Sequence, residues 1–192
     1  VAVCQDLIIP EPALQSAIAR SLGVREQDLS KSLVESSLTR LQANDLAIRD
    51  LSGLEHAKNL ESLVLRDNLI DDLTPIQNLS KLKNLDLSGN RLEDLVSLAP
   101  LSGIAKPSSE VSSTAETDLS ENGKQKGSYS VLRILNLSRN RLLGLSGIEN
   151  FRSLAQLDVS GNSLIDLEGV GKLKKLVNLY AQGNQLGRIE PF

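Results

Sequence analysis

The sequence predicts an α/β solenoid, in which short strands from successive turns of chain stack into one parallel sheet. Two observations lead to this fold class. Leucine accounts for 38 of the 192 residues, while aromatic residues make up only 2%, which indicates a core built from one side chain used many times. A pattern of leucines also recurs at a fixed spacing, and such periodicity is the signature of repeat architectures.

The recurring pattern is L-x-x-L-x-L-x-x-N-x-L-x-x-L, and each stretch that begins with it forms one predicted coil. Five coils begin at Leu60, Leu82, Leu132, Leu154 and Leu176. Apart from one longer gap, successive coils begin 22 residues apart. A sixth, imperfect copy, LTRLQANDLAIRDL, begins at Leu38 and carries Leu46 where the others have asparagine. Residues 38–192 are therefore predicted to form a solenoid of six coils.

The start of each coil alternates apolar and polar residues, which predicts a short strand with one buried face. The leucines of one coil are covered only by those of its neighbours, so stability comes from stacking. A period of 22 residues leaves little chain for the outer side of each coil. We therefore expect a concave parallel sheet and short 3₁₀ or irregular turns on the convex side, rather than full helices.

The ninth position of the coil is asparagine in five coils and falls where the chain turns away from the strand. A buried amide at such a turn can bond backbone groups that the sheet leaves unpaired. Because the residue recurs from coil to coil, we interpret the column as a structural ladder rather than as ligands or catalytic groups. Its members are Asn68, Asn90, Asn140, Asn162 and Asn184.

Residues 1–37 lie outside the repeat and are predicted to form a helical N-terminal cap. Pro12 suits a helix start and Gly23 suits a helix end, while Leu14 and Ile18 lie on one face between them. A second short helix is expected near residues 27–37. A solenoid needs its first coil covered, although the same apolar stripe is also suited to binding a partner helix.

The repeat is interrupted between Leu82 and Leu132, which are 50 residues apart instead of 22. The additional residues, at about 102–131, are rich in Ser, Glu, Lys and Gly and poor in large apolar side chains. This composition offers little burial to offset the entropy of ordering. We interpret the segment as a flexible insertion on the convex side, either simply tolerated or used for regulation or partner binding.

Composition argues against several classes of function. The 21 basic and 24 acidic residues provide no excess positive charge for nucleic acid, and no apolar stretch is long enough to span a membrane. One cysteine and one histidine cannot form a four-ligand zinc site. Catalytic and nucleotide-binding motifs are absent. We therefore expect no enzyme activity, no cofactor and no metal.

Several individual residues have ordinary structural interpretations. His56 is expected on the outer turn, at the surface. The recurring aspartates of the thirteenth position should hydrogen-bond their own backbone as turn residues, although an acidic column for cations is an alternative; they are Asp50, Asp72, Asp94 and Asp166. Cys4 lies in VAVC, which is weakly similar to a lipoprotein cleavage site and leaves open a lipidated cysteine or a free thiol.

These features together resemble the bacterial internalin-like leucine-rich-repeat family. The resemblance rests on the 22-residue coils and on the N-terminal IPEPALQSAIARSLG, which resembles that family's helical cap. It implies a secreted or cell-surface module that binds a protein on its concave sheet. The stretches LSGIENFRSLAQLDVSGN and LVNLYAQGNQL also resemble the intracellular phosphatase-regulating branch, so a cytoplasmic regulatory scaffold is the alternative.

Alternation places the third, fifth and seventh residues of each coil on the exposed face of the sheet. Tyr180 is the one aromatic residue predicted there, and Asp86 and Asp158 are expected to attract a basic partner. We expect a monomer that binds a protein rather than a small molecule. The predicted partner-binding residues are Arg40, Gln42, Val64, Arg66, Asp86, Asn136, Gln156, Asp158, Asn178, Tyr180 and Gln182.

The insertion is predicted to be dispensable for folding. Deletion of residues 104–131 joins Gly103 to Leu132 and restores the 22-residue spacing. Loop length has a small thermodynamic effect, about 0.6 kcal/mol for each doubling, so the deletion variant should keep its urea midpoint. Limited proteolysis of the intact chain should cleave first within this segment. An insoluble or unfolded deletion variant contradicts the prediction.

Overall fold

A computed structural model describes residues 7–102 and 131–187. Six strands form one parallel sheet in the order of the sequence, and this arrangement confirms the predicted α/β solenoid. The strands are β1 (Arg40–Gln42), β2 (Ser62–Val64), β3 (Asn84–Asp86), β4 (Ile134–Asn136), β5 (Gln156–Asp158) and β6 (Asn178–Tyr180).

The core is one continuous cluster of mostly aliphatic side chains, with Phe151 as a buried aromatic member. The fourth residue of each coil points inward from the middle of its strand, and Leu63, Leu85 and Leu135 have no exposed surface. Short 3₁₀ turns close the convex side, as the period predicted. These turns are Leu54–His56, Thr74–Ile76, Val96–Ser102, Ile148–Asn150 and Val170–Lys172.

Two helices precede the first strand, α1 (Pro12–Leu22) and α2 (Lys31–Ser37). Helix α1 begins at its proline and ends at Gly23, whose φ of 69° lies in the left-handed region that glycine adopts without strain. Leu14 and Ile18 of α1 are fully buried in the same core as the strands.

The Ser21 hydroxyl also donates a 2.6 Å hydrogen bond to the Arg40 carbonyl of β1. This bond matters because β1 is the first strand of the sheet, and exposed strand edges carry unpaired backbone groups. Glu11 reaches the same coil, since its carboxylate accepts a hydrogen bond from the Arg49 amide. We propose that residues 1–37 act as the cap of the solenoid, as their composition predicted.

The sheet continues in register across the interruption of the repeat. Strands β3 and β4 pair with Asn84 opposite Ile134, although these residues are 50 positions apart. The Leu87 amide donates to the Asn136 carbonyl at 2.9 Å, and the equivalent bonds elsewhere in the sheet are 2.8–2.9 Å long. The predicted insertion at about 102–131 lies almost entirely outside the described residues, as does Cys4.

The asparagines of the ninth position join each coil to the coil before it. Asn90 donates from its amide nitrogen to the Leu65 carbonyl of the preceding coil at 2.9 Å, and its oxygen accepts from the Ile70 amide of that coil at 3.0 Å. The same pair of bonds recurs at every other member of the column. Within the described residues, every buried side-chain nitrogen and oxygen has a hydrogen-bond partner.

This direction of bonding explains why the first coil tolerates Leu46. An asparagine in coil n serves the backbone of coil n − 1, and the first coil has no preceding coil to serve. Asn68 of the second coil accepts from both the Leu46 and Ile48 amides at 3.1 Å. Leu46 itself is 38% exposed, so the departure from the pattern leaves no buried group unpaired.

The aspartates of the thirteenth position are turn residues, as predicted. Each carboxylate accepts a hydrogen bond of 2.8–3.0 Å from the backbone amide two residues later. At Asp50, hydrogen bonds from the side chain and then the backbone of Ser52 lower the pKa of the carboxyl. These bonds fix the chain direction as it leaves the sheet for the convex side.

Replacing Asn90 or Asn162 by leucine is expected to cost about 1–3 kcal/mol each, because buried backbone groups lose their partners. Urea unfolding of the two variants measures the effect. The matched control is Asn78→Leu, since Asn78 is an exposed asparagine of the convex side. Wild-type midpoints for both Asn90→Leu and Asn162→Leu show that the column does not stabilise the fold.

Candidate functional site

The exposed face of the sheet is built from two rows of side chains that run across all six strands. The third residues of the coils stand opposite one another from Arg40 to Asn178, and the fifth residues do so from Gln42 to Tyr180. Parallel pairing without a slip is what keeps each row on one face. The residues of the seventh position follow directly after the strands.

The eleven predicted partner-binding residues differ in their solvent exposure. Most of them are accessible, so this face presents a continuous polar surface. The exposed residues are Arg40, Gln42, Arg66, Asn178, Tyr180 and Gln182. The half-buried residues are Val64, Asn136, Gln156 and Asp158. The remaining residue, Asp86, is buried.

Asp86 was predicted to attract a basic partner, but its carboxylate is buried and already has a basic partner within the protein. Its residue surface is only 5% exposed, and its Oδ2 accepts a 2.7 Å hydrogen bond from the Arg66 Nε of the preceding coil. Asn136 donates to the same oxygen at 3.3 Å, and the amide and hydroxyl of Ser88 donate to Oδ1. The carboxylate is already neutralised within the protein, so no unpaired charge faces solvent.

Asp158 occupies the same position two coils later and keeps an accessible carboxylate. Its Oδ1 accepts from the Ser160 amide at 2.9 Å and from the Ser160 hydroxyl at 2.6 Å. In the coil before Asp158, the seventh residue is Ser138, whereas Arg66 holds that position in the coil before Asp86. Within the described residues, Asp158 therefore forms no ion pair. Asp86 and Asp158 therefore share a repeat position but differ in charge pairing. The difference arises from the seventh residue of the preceding coil, which is arginine in one case and serine in the other.

Two large side chains add apolar surface to this face. Tyr180 of β6 is 43% exposed, and Ile134 of β4 is 40% exposed between the polar residues Asn84 and Gln156. Ile134 was not among the predicted binding residues. Its position in the third row was visible in the sequence, but only the structure shows that no neighbour covers it.

A second ion pair crosses the sheet beside these rows. Arg139 Nη2 lies 2.9 Å from Asp67 Oδ1, although a whole coil separates the two residues. The pair passes over Gly89, where a Cβ atom would collide with the Asp67 carboxylate. Both side chains are about half exposed, so this pair differs from Arg66–Asp86 mainly in burial.

The described ranges, 7–102 and 131–187, contain no group of three or more His, Cys, Asp or Glu side chains suited to a metal ion. No helix in these ranges is long and apolar enough to cross a membrane. His56 lies on a convex turn, with its Nε2 3.6 Å from a carboxylate oxygen of Glu55, and a quarter of its side chain is exposed.

Comparison with known proteins identifies the repeat. A family model of two leucine-rich repeats matches residues 58–102, and a single-repeat model matches residues 131–154. Among solved structures, internalin C2 of Listeria monocytogenes is 30% identical with a TM-score of 0.65. That match covers 95% of this chain and 78% of internalin C2. No curated protein matches the chain.

More distant structures share the fold. The functional domain of InlJ from Listeria monocytogenes is 22% identical, with a TM-score of 0.54, and the match covers 94% of this chain and 43% of that one. A leucine-rich-repeat protein of Leptospira interrogans is 21% identical, with a TM-score of 0.60, and the match covers 86% and 34%. Because the chain is 30% identical to internalin C2 and the match covers 78% of that protein, the chain belongs to the internalin-like leucine-rich-repeat family.

The Arg66–Asp86 pair is predicted to stabilise the exposed face more than Arg139–Asp67 does. Double-mutant cycles built with Arg66→Ala and Asp86→Ala should give a coupling energy of about 1 kcal/mol, because Asp86 is shielded from water. The cycle with Arg139→Ala and Asp67→Ala is the control and should give about 0.5 kcal/mol or less, because both partners are solvated. Equal coupling energies from urea unfolding contradict this interpretation.

Proposed function

We propose that the chain is a non-enzymatic protein-binding module of a secreted or cell-surface bacterial protein. The observation that carries the proposal is the exposed face of the sheet, where two rows of side chains stand in register on six strands. Because a rigid sheet already holds these side chains in place, little further conformational entropy is lost on binding, and this favours affinity. The protein-binding role of the leucine-rich-repeat fold is common to the family.

The binding site is proposed to lie towards the C-terminal coils. Ile134 and Tyr180 supply its exposed apolar surface, and Asp158 supplies a carboxylate that no cation pairs with. Tyrosine is enriched at the energetic centres of interfaces, and a half-buried carboxylate favours a partner with basic side chains. The N-terminal half of the face is different, because Arg66 and Asp86 neutralise each other.

The affinity of the chain alone is proposed to be modest. Six strands at about 4.8 Å spacing give a sheet roughly 24 Å long. Three residues at its third, fifth and seventh positions, Asp86, Ser88 and Ser138, are buried. The accessible side chains are therefore fewer than the roughly 20–30 residues that each side of a standard interface contributes. A small interface with one aromatic residue fits a transient complex better than a permanent one.

A secreted or surface location is supported by the family resemblance and by the bacterial origin of the similar structures. The cytoplasmic alternative is a regulatory scaffold of the phosphatase-regulating type. The two hypotheses differ in what accompanies the solenoid in the full-length gene. A signal sequence or wall anchor favours the first, and an adjoining kinase or phosphatase domain favours the second.

To test the proposed binding face, partner proteins are first isolated by their binding to the immobilised chain. Their affinities for the wild-type and variant chains are then measured by surface plasmon resonance. Tyr180→Ala is expected to weaken binding by about tenfold or more, because it removes the one exposed aromatic ring of the face. Asp158→Lys should slow association most strongly at low salt, because it reverses the charge that attracts a basic partner.

The control is His56→Ala, which lies on the convex side and should leave the affinity unchanged. Circular dichroism and urea unfolding establish that all three variants keep the wild-type fold. If His56→Ala alone weakens binding, the partner docks on the convex surface and the proposal for the concave face is refuted.

A further inference from the structure

Seven basic side chains line the edge at which the strands begin. We define this amino edge by the second position of each coil and by the two positions that precede the coil. In the described residues its cations are Lys58, Lys81, Lys83, Arg133, Arg152, Lys174 and Lys175, all exposed, and its acidic residue is Glu61. This concentration contrasts with a net charge of −3 for the whole chain.

The backbone holds equivalent positions of successive coils in register, although no repeat position of the amino edge is basic in every described coil. The Arg133 amide donates to the Lys83 carbonyl, and the Ala155 amide donates to the Arg133 carbonyl, both at 2.8 Å. Neighbouring positions in a column are therefore one strand spacing apart, about 4.8 Å. Lys83 and Arg133 are neighbours in the second-position column, whereas the next two coils have Ala155 and Val177 there. A linear ligand along this edge therefore meets cations that come from three different repeat positions.

Most of these charges have no partner within the protein. Lys83 pairs with Glu61 at 2.8 Å, and the hydrogen bond from Lys83 lowers the pKa of the Glu61 carboxyl. In the part of the chain that the structure describes, the other six cations form no ion pair, although Lys81 donates a 2.6 Å hydrogen bond to the Asn59 Oδ1. An aligned set of unpaired like charges repels itself, and an anionic ligand relieves this repulsion.

A shallow depression lies in the C-terminal half of the amino edge, beside the coils that begin at Leu132, Leu154 and Leu176. It has a volume of about 420 Å³, and it is lined by Val131, Arg133, Ser153, Ala155 and Lys175. Val131 and Ala155 provide an aliphatic floor, while Arg133 and Lys175 supply cations and Ser153 a hydroxyl. This combination fits a sugar ring whose anionic substituents contact the two cations.

The opposite edge of the sheet has the reverse charge. In the described coils its tenth, twelfth and thirteenth positions hold six carboxylates and three guanidinium groups. The carboxylates are Asp50, Asp71, Asp72, Glu93, Asp94 and Asp166, and the cations are Arg49, Arg91 and Arg141. The positive charge of the amino edge is therefore a property of one side of the molecule.

We propose that the amino edge binds a linear anionic polysaccharide, such as a sulfated glycan, at a site separate from the exposed face of the sheet. The cations of the edge contact anionic groups of the polysaccharide, and the depression beside Arg133 holds one sugar unit. Arginine and lysine contacts to sulfate or carboxylate groups are charge-assisted and release counterions on binding.

A polysaccharide fits this edge better than a nucleic acid. Single-stranded nucleic acids bind through aromatic side chains on which bases stack, and no aromatic side chain occupies the defined positions of the amino edge in the described coils. Saccharide rings need hydroxyl and cation contacts, which the edge supplies.

Isothermal titration calorimetry of the full chain with a heparin octasaccharide tests the proposal. The double variant Arg133→Gln/Lys175→Gln is compared with Arg91→Gln/Arg141→Gln, which removes the same charge from the opposite edge. We expect the first variant to bind about tenfold more weakly or worse, with a reduced salt dependence, because two ionic contacts are lost. The second should bind as the wild type does.

Four further outcomes overturn the proposal. Absence of heparin binding at low salt refutes the site, and equal losses in the two double variants reduce it to a non-specific effect of net charge. Tighter binding of single-stranded oligothymidylate than of heparin assigns the edge to nucleic acid instead. If sedimentation without ligand shows that the chain associates with itself at low salt, the amino edge binds the acidic edge of a second copy instead.

Discussion

The buried asparagine of the ninth position is the interaction on which the rest of this structure depends. Each one satisfies a carbonyl and an amide of the preceding coil, at the place where the chain leaves the sheet. A leucine core alone fixes the amount of burial but not the register of one coil on the next. Because the asparagine bonds are directional, they align the coils, and aligned coils produce both the continuous core and the ordered rows outside it.

Because the coils are aligned, residues that share a repeat position lie side by side and form a continuous surface. The strands are only three residues long, yet a repeated position forms a straight column because every coil is placed in the same way. The third and fifth positions become the exposed face of the sheet, and the positions just before the strands become the basic amino edge. The core positions are fixed by packing, so variation at the outward positions changes recognition with little effect on the fold.

Neighbouring coils decide what an outward residue can do. Asp86 and Asp158 share a repeat position and a strand register, but Arg66 neutralises the first, while Ser138 leaves the second unpaired. The relevant partner is about 20 residues away in the sequence, in another coil. Consequently, the binding properties of a repeat surface belong to pairs of coils rather than to single repeats.

The sequence by itself determined the period, the parallel sheet, the short convex turns and the bonding role of the recurring aspartates. These features follow from local spacing, and spacing is visible along the chain. Tertiary structure alone decided that Asp86 is buried, that Ile134 is uncovered, and that Leu46 is harmless in the first coil. It also brought the cations of the amino edge together, because charges 22 or 50 residues apart become neighbours only when coils stack in register.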